Sequence, residues 1–127
     1  MKVAAVIGAT GYVGSHIVQC LLGKGYLVRC STRNPSASGW LQDLSKNVEL
    51  HKLELGTSGP EDSDSFNELL KGADSVFFCA GFETQAPETI TFMRENALAT
   101  IRCAAKNKVP CVVLTSSGGS TNAPNRL

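Results

Sequence analysis

Apolar residues along this chain come in short, nearly continuous runs, separated by stretches in which they recur every three or four positions. The runs Val3–Ile7, Leu27–Thr32, Val48–Leu53, Ser75–Ala80 and Cys111–Thr115 predict strands. Their residues do not alternate between apolar and polar, so each strand is expected to be covered on both faces, as in a parallel sheet. Between the first two, Val13, Ile17, Val18, Leu21 and Leu22 share one face of a predicted helix closed by Gly23 and Gly25. Leu41 and Leu44 mark a short helix. Phe66, Leu69 and Leu70 mark another, with a Ser/Asp-rich start suited to capping and Gly72 at its end. The longest begins near Pro87 and repeats Ile90, Met93, Ala97, Leu98, Ile101 and Ala105 until Pro110 breaks it.

Strand–helix–strand units of this kind force parallel pairing through right-handed crossovers. The fold class is therefore α/β, a Rossmann doubly wound parallel sheet of about five strands in the order 3-2-1-4-5. The segment Gly56–Ser65 (GTSGPEDSDS) has no core pattern and reads as the most mobile loop. Residues 118–127 (GGSTNAPNRL) are expected to form an irregular tail of a truncated chain, leaving 1–117 as one domain.

Composition narrows the function classes. With 127 residues, 43% of them hydrophobic and 18% charged, the chain suits one ordinary soluble domain. A net charge of +1 with mixed signs gives no electrostatic case for nucleic acid or for an anionic membrane. No apolar run reaches the roughly 20 residues of a membrane span. The first strand starts almost at Met1, which leaves no room for a signal peptide, and the expected location is cytoplasmic. Cys20, Cys30, Cys79, Cys103 and Cys111 lack metal-ligand or redox spacing and read mostly as buried free thiols; no metal site is expected.

The strongest chemical signal is Gly8-Ala9-Thr10-Gly11-Tyr12-Val13-Gly14, directly after the first strand and opening the first helix. Gly8 permits a tight turn, Gly11 lets a diphosphate approach the backbone, and Gly14 lets the helix pack closely on the sheet. The unpaired N–H groups at the helix start, with Thr10, Tyr12 and Val13 in the same cradle, would hold the negative charge. Three glycines alone can be merely a tight loop, but here they lie between a strand and a helix of one βαβ unit. An NAD site places an acid about 20 residues beyond such glycines. No Asp or Glu occurs between Tyr26 and Gln42, and Arg33 stands in that region. Arg33 either pairs with a 2′-phosphate, helped by Ser31 or Thr32, or is an ordinary exposed arginine; the glycine motif favours NADP(H).

The G-x-x-G-x-x-G spacing resembles the extended and atypical short-chain dehydrogenase/reductases. Ser31-Thr32-Arg33-Asn34-Pro35 resembles the "(V/T)RDP" loop of the dihydroflavonol reductase and cinnamoyl-CoA reductase group. Leu53-Glu54-Leu55 stands where that group has an Asp-Leu or similar pair beside the adenine. Phe82-Glu83, Pro87-Glu88 and Thr115-Ser116-Ser117-Gly118-Gly119 are similar to its later segments, so the likeness spans essentially all of the chain.

The resemblance implies the cofactor-binding part of an NADP-dependent oxidoreductase acting on a small carbonyl or alcohol substrate. Glu54 would accept a hydrogen bond from the adenine amino group, or else is a solvated acid at a strand end; Leu55 would pack on the ring. Ala80 and Gly81, after Cys79, would leave room for the nicotinamide-side ribose, or else are small for packing. Ser117, with Ser116 in reserve, would orient the substrate carbonyl, or else the two hydroxyls satisfy backbone groups. Asn96 matches, by rough position, an asparagine sometimes structural in the superfamily. The family's Tyr-x-x-x-Lys is absent: Tyr12 and Tyr26 are followed four residues later by His16 and Cys30. The chain alone is therefore expected to bind cofactor and turn over nothing. His16 and His51 read as surface or packing residues, and the long helix is a candidate homodimer face. The alternative is a non-catalytic NADP-binding regulatory module, since NmrA-like members resemble this chain in the "GATGxxG" loop and Ile7 stands where extended enzymes usually have threonine.

Overall fold

Four consecutive residues, Ala4 to Ile7, are completely buried, and the strand that carries them takes the centre of the sheet. The structure, a computed structural model, describes residues 1–80 and 87–115. Along the chain lie β1 (Val3–Ile7), α1 (Tyr12–Gly23), β2 (Leu27–Thr32), a 3-10 turn at Pro35–Ser38, α2 (Gly39–Gln42) and β3 (Val48–Lys52). They are followed by β4 (Leu55–Gly56), β5 (Gly59–Pro60), α3 (Ser63–Leu70), β6 (Ser75–Phe78), α4 (Pro87–Lys106) and β7 (Cys111–Leu114). The five-stranded sheet runs β3-β2-β1-β6-β7, all parallel. This is the expected 3-2-1-4-5 order once the small β4–β5 hairpin is counted in.

Alternation along β1 builds two cores. Ala5 and Ile7 face a layer holding Phe66, Leu69 and Leu70 of α3, Val76 and Phe78 of β6, and Ala104 of α4. Ala4 and Val6 face the opposite layer with Val18 and Leu21 of α1, Val28, Cys30, Leu41 and Val48. Helices on both faces follow from the crossovers, and the helix starts gather at the carboxyl ends of the strands. Gly25 (φ +84°) lets the chain leave α1, with Tyr26 N–H donating to Leu21 O at 3.1 Å.

Several expectations need correction. Part of the Gly56–Ser65 stretch is ordered: Leu55 pairs with Pro60 and Gly56 with Gly59 in an antiparallel hairpin. α3 already starts at Ser63, where Asp62 accepts the Asp64 N–H at 3.0 Å. The local composition has no core period, and a contact from α4, distant in sequence, fixes the hairpin. In α4 the apolar stripe is not the buried one: Ile90, Leu98 and Ile101 are 56%, 36% and 42% exposed. The buried positions are Asn96, Thr100 and Ala104, spaced one turn apart. Their donors bond within the fold, Thr100 Oγ1 donating to Asn96 O at 2.8 Å and Asn96 Nδ2 to two carbonyls, while Asn96 Oδ1 is buried with no hydrogen-bond partner.

In α1, Val13 is half exposed and Gly14, Val18 and Leu21 form the buried face; Leu44 lies beyond α2 and is exposed. β7 is an edge strand, with Val112, Val113 and Leu114 exposed where two-sided cover was expected. Only Cys30 among the thiols is fully buried, and burial pushes it up to about 12. Cys79 and Cys103 are half-buried; Cys20 and Cys111 are exposed. The tail 118–127 lies outside the described residues.

One tie from β2 holds α3 across the sheet. Arg29 Nη1 donates to Lys71 O at 2.6 Å and Leu69 O at 3.1 Å, supplying a cation at the end of a helix that has no basic residue in its own last turn. Hydrogen bonds to a charged group contribute about 2 kcal/mol. Arg29→Met is expected to lower unfolding free energy by about that much, read as a fall in urea midpoint with unchanged m-value. A midpoint equal to wild type would show that the carbonyls are equally well served by water.

Candidate functional site

The site begins where β1 ends. Gly8 takes φ +84°, and a Cβ there would lie 2.6 Å from Ala80 N and 2.8 Å from Ala80 Cα. Both the left-handed backbone and this approach exclude a side chain. Gly11 N–H donates to Gly8 O at 3.1 Å and closes the turn. A Cβ on Gly14 would overlap the Gly8 carbonyl outright, so α1 rests directly on the loop. Gly11 differs: its added Cβ meets only Gly8 O at 3.5 Å, an ordinary contact. The space over Gly11 is open to a ligand.

Neighbouring strand ends are laced to this turn. Gly8 N–H donates to Ser31 Oγ at 3.2 Å, and Cys79 N–H donates to Ile7 O at 2.8 Å. α1 starts at N-cap Gly11 with no side-chain cap and no acid in its first turn. Its first N–H groups and the positive end of its dipole therefore face outward uncompensated.

A cleft of about 210 Å³ lies above these ends. It brings together Gly8, Thr10, Gly11, Arg33, Leu55 and Ala80 of the sequence-predicted set, with Ser31, Thr32, Leu53 and Cys79 beside them. Gly14 is buried beneath the loop and does not line the cleft, and Tyr12 and Val13 turn outward. Tyr12 is 81% exposed; its carbonyl accepts from Ser15 Oγ at 3.0 Å and lies 2.8 Å from His16 Nδ1, a local helical arrangement. Glu54 is half-buried outside the cleft wall, its carbonyl accepting the Glu61 N–H at 2.9 Å. Gly81, Ser116 and Ser117 lie outside the described residues, as do Phe82 and Glu83. Phe92 of α4 lines the cleft and was missed in the sequence. Its only signal was helical spacing, one turn before Asn96.

The hydroxyls expected to help Arg33 have other partners. Asn34 N–H donates to Thr32 Oγ1 at 3.2 Å, Thr32 Oγ1 and Ser38 Oγ are 2.7 Å apart, and Ser38 Oγ donates to Asn34 O at 2.9 Å. The Ser38 proton is thus committed, so Thr32 donates to Ser38, and the closed ring shapes the turn that presents Arg33. Arg33 itself is exposed and makes no ion pair among the described residues. Burial pushes the Cys79 thiol up to about 11, so at neutral pH it is an uncharged wall and not a nucleophile. Chemically the cleft offers backbone donors at one end, a free guanidinium, and an apolar wall of Leu53, Leu55 and Phe92. That combination suits an elongated anion carrying a flat apolar group. Among the described residues there is no cluster of metal-ligating side chains, and no helix is long and apolar enough to cross a membrane.

Comparison with known proteins agrees with the fold. The model of the NmrA-like family matches residues 1–114. Cinnamoyl-CoA reductase 2 of Arabidopsis thaliana is 39% identical over 129 residues, an alignment covering 98% of this chain and 38% of that protein. Dihydroflavonol 4-reductase of Callistephus chinensis is 38% identical over 129 residues, covering 92% of this chain and 34% of the relative. The crystal structure of vestitone reductase from alfalfa (Medicago sativa L.) superposes with a TM-score of 0.73 at 26% identity, over 94% of this chain and 37% of that one. The chain thus spans little more than a third of the length of these relatives.

The two inner glycines are expected to separate in experiment. Gly14→Ala forces α1 off the loop and should cost about 2 kcal/mol, the scale of overpacking. Gly11→Ala should change stability by less than about 0.5 kcal/mol, as for a substitution in open space. Urea unfolding of both variants measures the difference; equal losses would contradict the close packing of α1 on Gly8.

Proposed function

The chain belongs to the NmrA-like family, and on that premise we propose that it forms the NADP(H)-binding part of an NADP-dependent reductase. The carrying observation is the single cleft that joins the glycine turn, the uncapped start of α1 and Arg33. These residues fit the cofactor: a diphosphate needs open backbone donors, and the space a Cβ on Gly11 would take is free. Gly8, Gly11 and Gly14 shape the cradle, and the backbone around Thr10, Tyr12 and Val13 holds the diphosphate. Arg33 reads the 2′-phosphate, with no carboxylate among the described residues paired to it. Leu55 packs on the adenine, and Ala80 leaves room for the ribose at the other end, as Gly81 would beside it; Glu54, outside the cleft wall, is not assigned a contact.

When bound, the nicotinamide supplies or accepts the hydride. The names of the relatives, all reductases, support a small carbonyl or alcohol compound as substrate. Ser117, with Ser116 in reserve, is the residue that would orient its carbonyl. Free thiols, exposed at Cys20 and Cys111, suit a reducing compartment such as the cytoplasm. The family match also supports a second reading, an NADP-binding regulator without turnover. Consumption of NADPH by the parent protein with a carbonyl substrate separates the two readings.

The cofactor assignment is tested by calorimetry with NADPH and NADH on wild type and Arg33→Ala. NADPH is expected to bind at least about tenfold tighter, and the substitution to abolish that preference, as befits one charge-assisted contact to phosphate. Equal affinities in wild type would remove Arg33 from the site. A homodimer through α4 is the second proposal, resting on the outward Ile90, Leu98 and Ile101. Sedimentation equilibrium should then show a dimer that Ile101→Glu dissociates; a wild-type monomer at tens of micromolar would sink the idea.

A further inference from the structure

We infer that the ring of Phe92 is the aromatic wall of the purine half of the cleft and stacks on the adenine of the bound nucleotide. This rests on the nucleotide reading of the site and adds a residue from α4, an element outside the glycine turn and the β2 loop. The two ends of the cleft differ chemically. At one end Gly8 lies against Ala80 beside the start of α1. At the other, Leu53 N–H donates to Thr32 O at 2.9 Å, which seats Leu53, and with it Leu55, next to Arg33.

Phe92 is fastened to that second end. The side-chain amide of Asn96, fully buried, donates to Gly56 O at 2.8 Å and to Phe92 O at 2.8 Å. Both acceptors are carbonyls, so the NH₂ group must face them. One amide thus joins the turn of α4 that carries Phe92 to the residue following Leu55. Leu53, Leu55 and Phe92 make an apolar wall in the cleft that Arg33, without an ion pair among the described residues, also lines. A sugar placed against these three side chains would lose water with nothing in exchange. A purine offers apolar faces that an aromatic ring can stack on. Arg33 takes the 2′-phosphate of the adenosine ribose, and the base on that same ribose is the group that meets this wall.

The full chain as wild type, Phe92→Ala and Phe92→Leu is titrated with adenosine 2′,5′-bisphosphate, NADPH, NADH and nicotinamide mononucleotide. Loss of one base–aromatic stack should weaken the first three by about tenfold in Phe92→Ala, with the NADPH-to-NADH ratio retained. Phe92→Leu, which keeps most of the apolar volume and guards against a folding defect in the alanine variant, should lose about threefold. Nicotinamide mononucleotide should bind all three proteins alike. Wild-type affinity for the adenine nucleotides in folded Phe92→Ala or Phe92→Leu overturns the inference alone. A loss confined to nicotinamide mononucleotide places the ring at the other end and also overturns it. No nucleotide binding by wild type overturns the reading of the site, and this inference with it.

Discussion

Backbone packed on backbone at the end of β1 is the constraint on which the rest of the structure depends. Gly8 approaches Ala80 so closely that even a methyl group would clash, and α1 approaches Gly8 so closely that Gly14 can carry none. Such contacts cannot be relieved by a rotamer change, because no side chain is involved. They hold the ends of β1 and β6 and the start of α1 in one rigid corner, with Ser31 of β2 bonded to the same Gly8. The uncapped donors of α1 are therefore aimed by the sheet itself, and their orientation costs no loop ordering when a ligand arrives.

Polar side chains around that corner fall into two groups. Ser31, Thr32, Ser38 and Asn96 have partners inside the fold and act as fasteners. Arg33 is exposed and makes no ion pair among the described residues. The division has an energetic reason: buried hydroxyls and amides must be satisfied internally, whereas a guanidinium at the rim is satisfied by water until an anion replaces it. The ring of bonds through Thr32, Asn34 and Ser38 fixes the turn on which Arg33 stands.

How much of this was legible in the sequence follows from which forces leave a local signature. The strands of the sheet, their order and the glycine turn were readable, because continuous apolar runs and φ-permissive glycines act within a few residues of themselves. The buried face of α4 was not. Hydrophobic periodicity assumes that burial selects apolar residues, yet Asn96 and Thr100 are buried because their hydrogen bonds close locally and onto Gly56. The hairpin at Leu55–Pro60 was missed for the same reason: its order comes from an asparagine 40 residues away in the chain. Of the residues read from the glycine spacing, the β2 loop and the family resemblance, Gly8, Thr10, Gly11, Arg33, Leu55 and Ala80 line the cleft, while Phe92 comes from α4, which is bonded to the hairpin through Asn96 and Gly56.

Asn96 also shows how a Rossmann cleft can vary without disturbing its rigid corner. The glycine turn is built from backbone and tolerates almost no change, so it can recognise only what all dinucleotides share. The side chains that line the cleft beyond the turn come from the β2 loop, the segment after β3 and the first half of α4. These elements contact the corner through hydrogen bonds and apolar packing that can be rebuilt one residue at a time. The polar inner face of α4 serves that arrangement, because the amide of Asn96 sets the position of the hairpin and of the Phe92 turn together. An apolar residue there could fill the same volume, but it would leave the Gly56 carbonyl without its donor from α4, and the hairpin would lose its hydrogen bond to the helix.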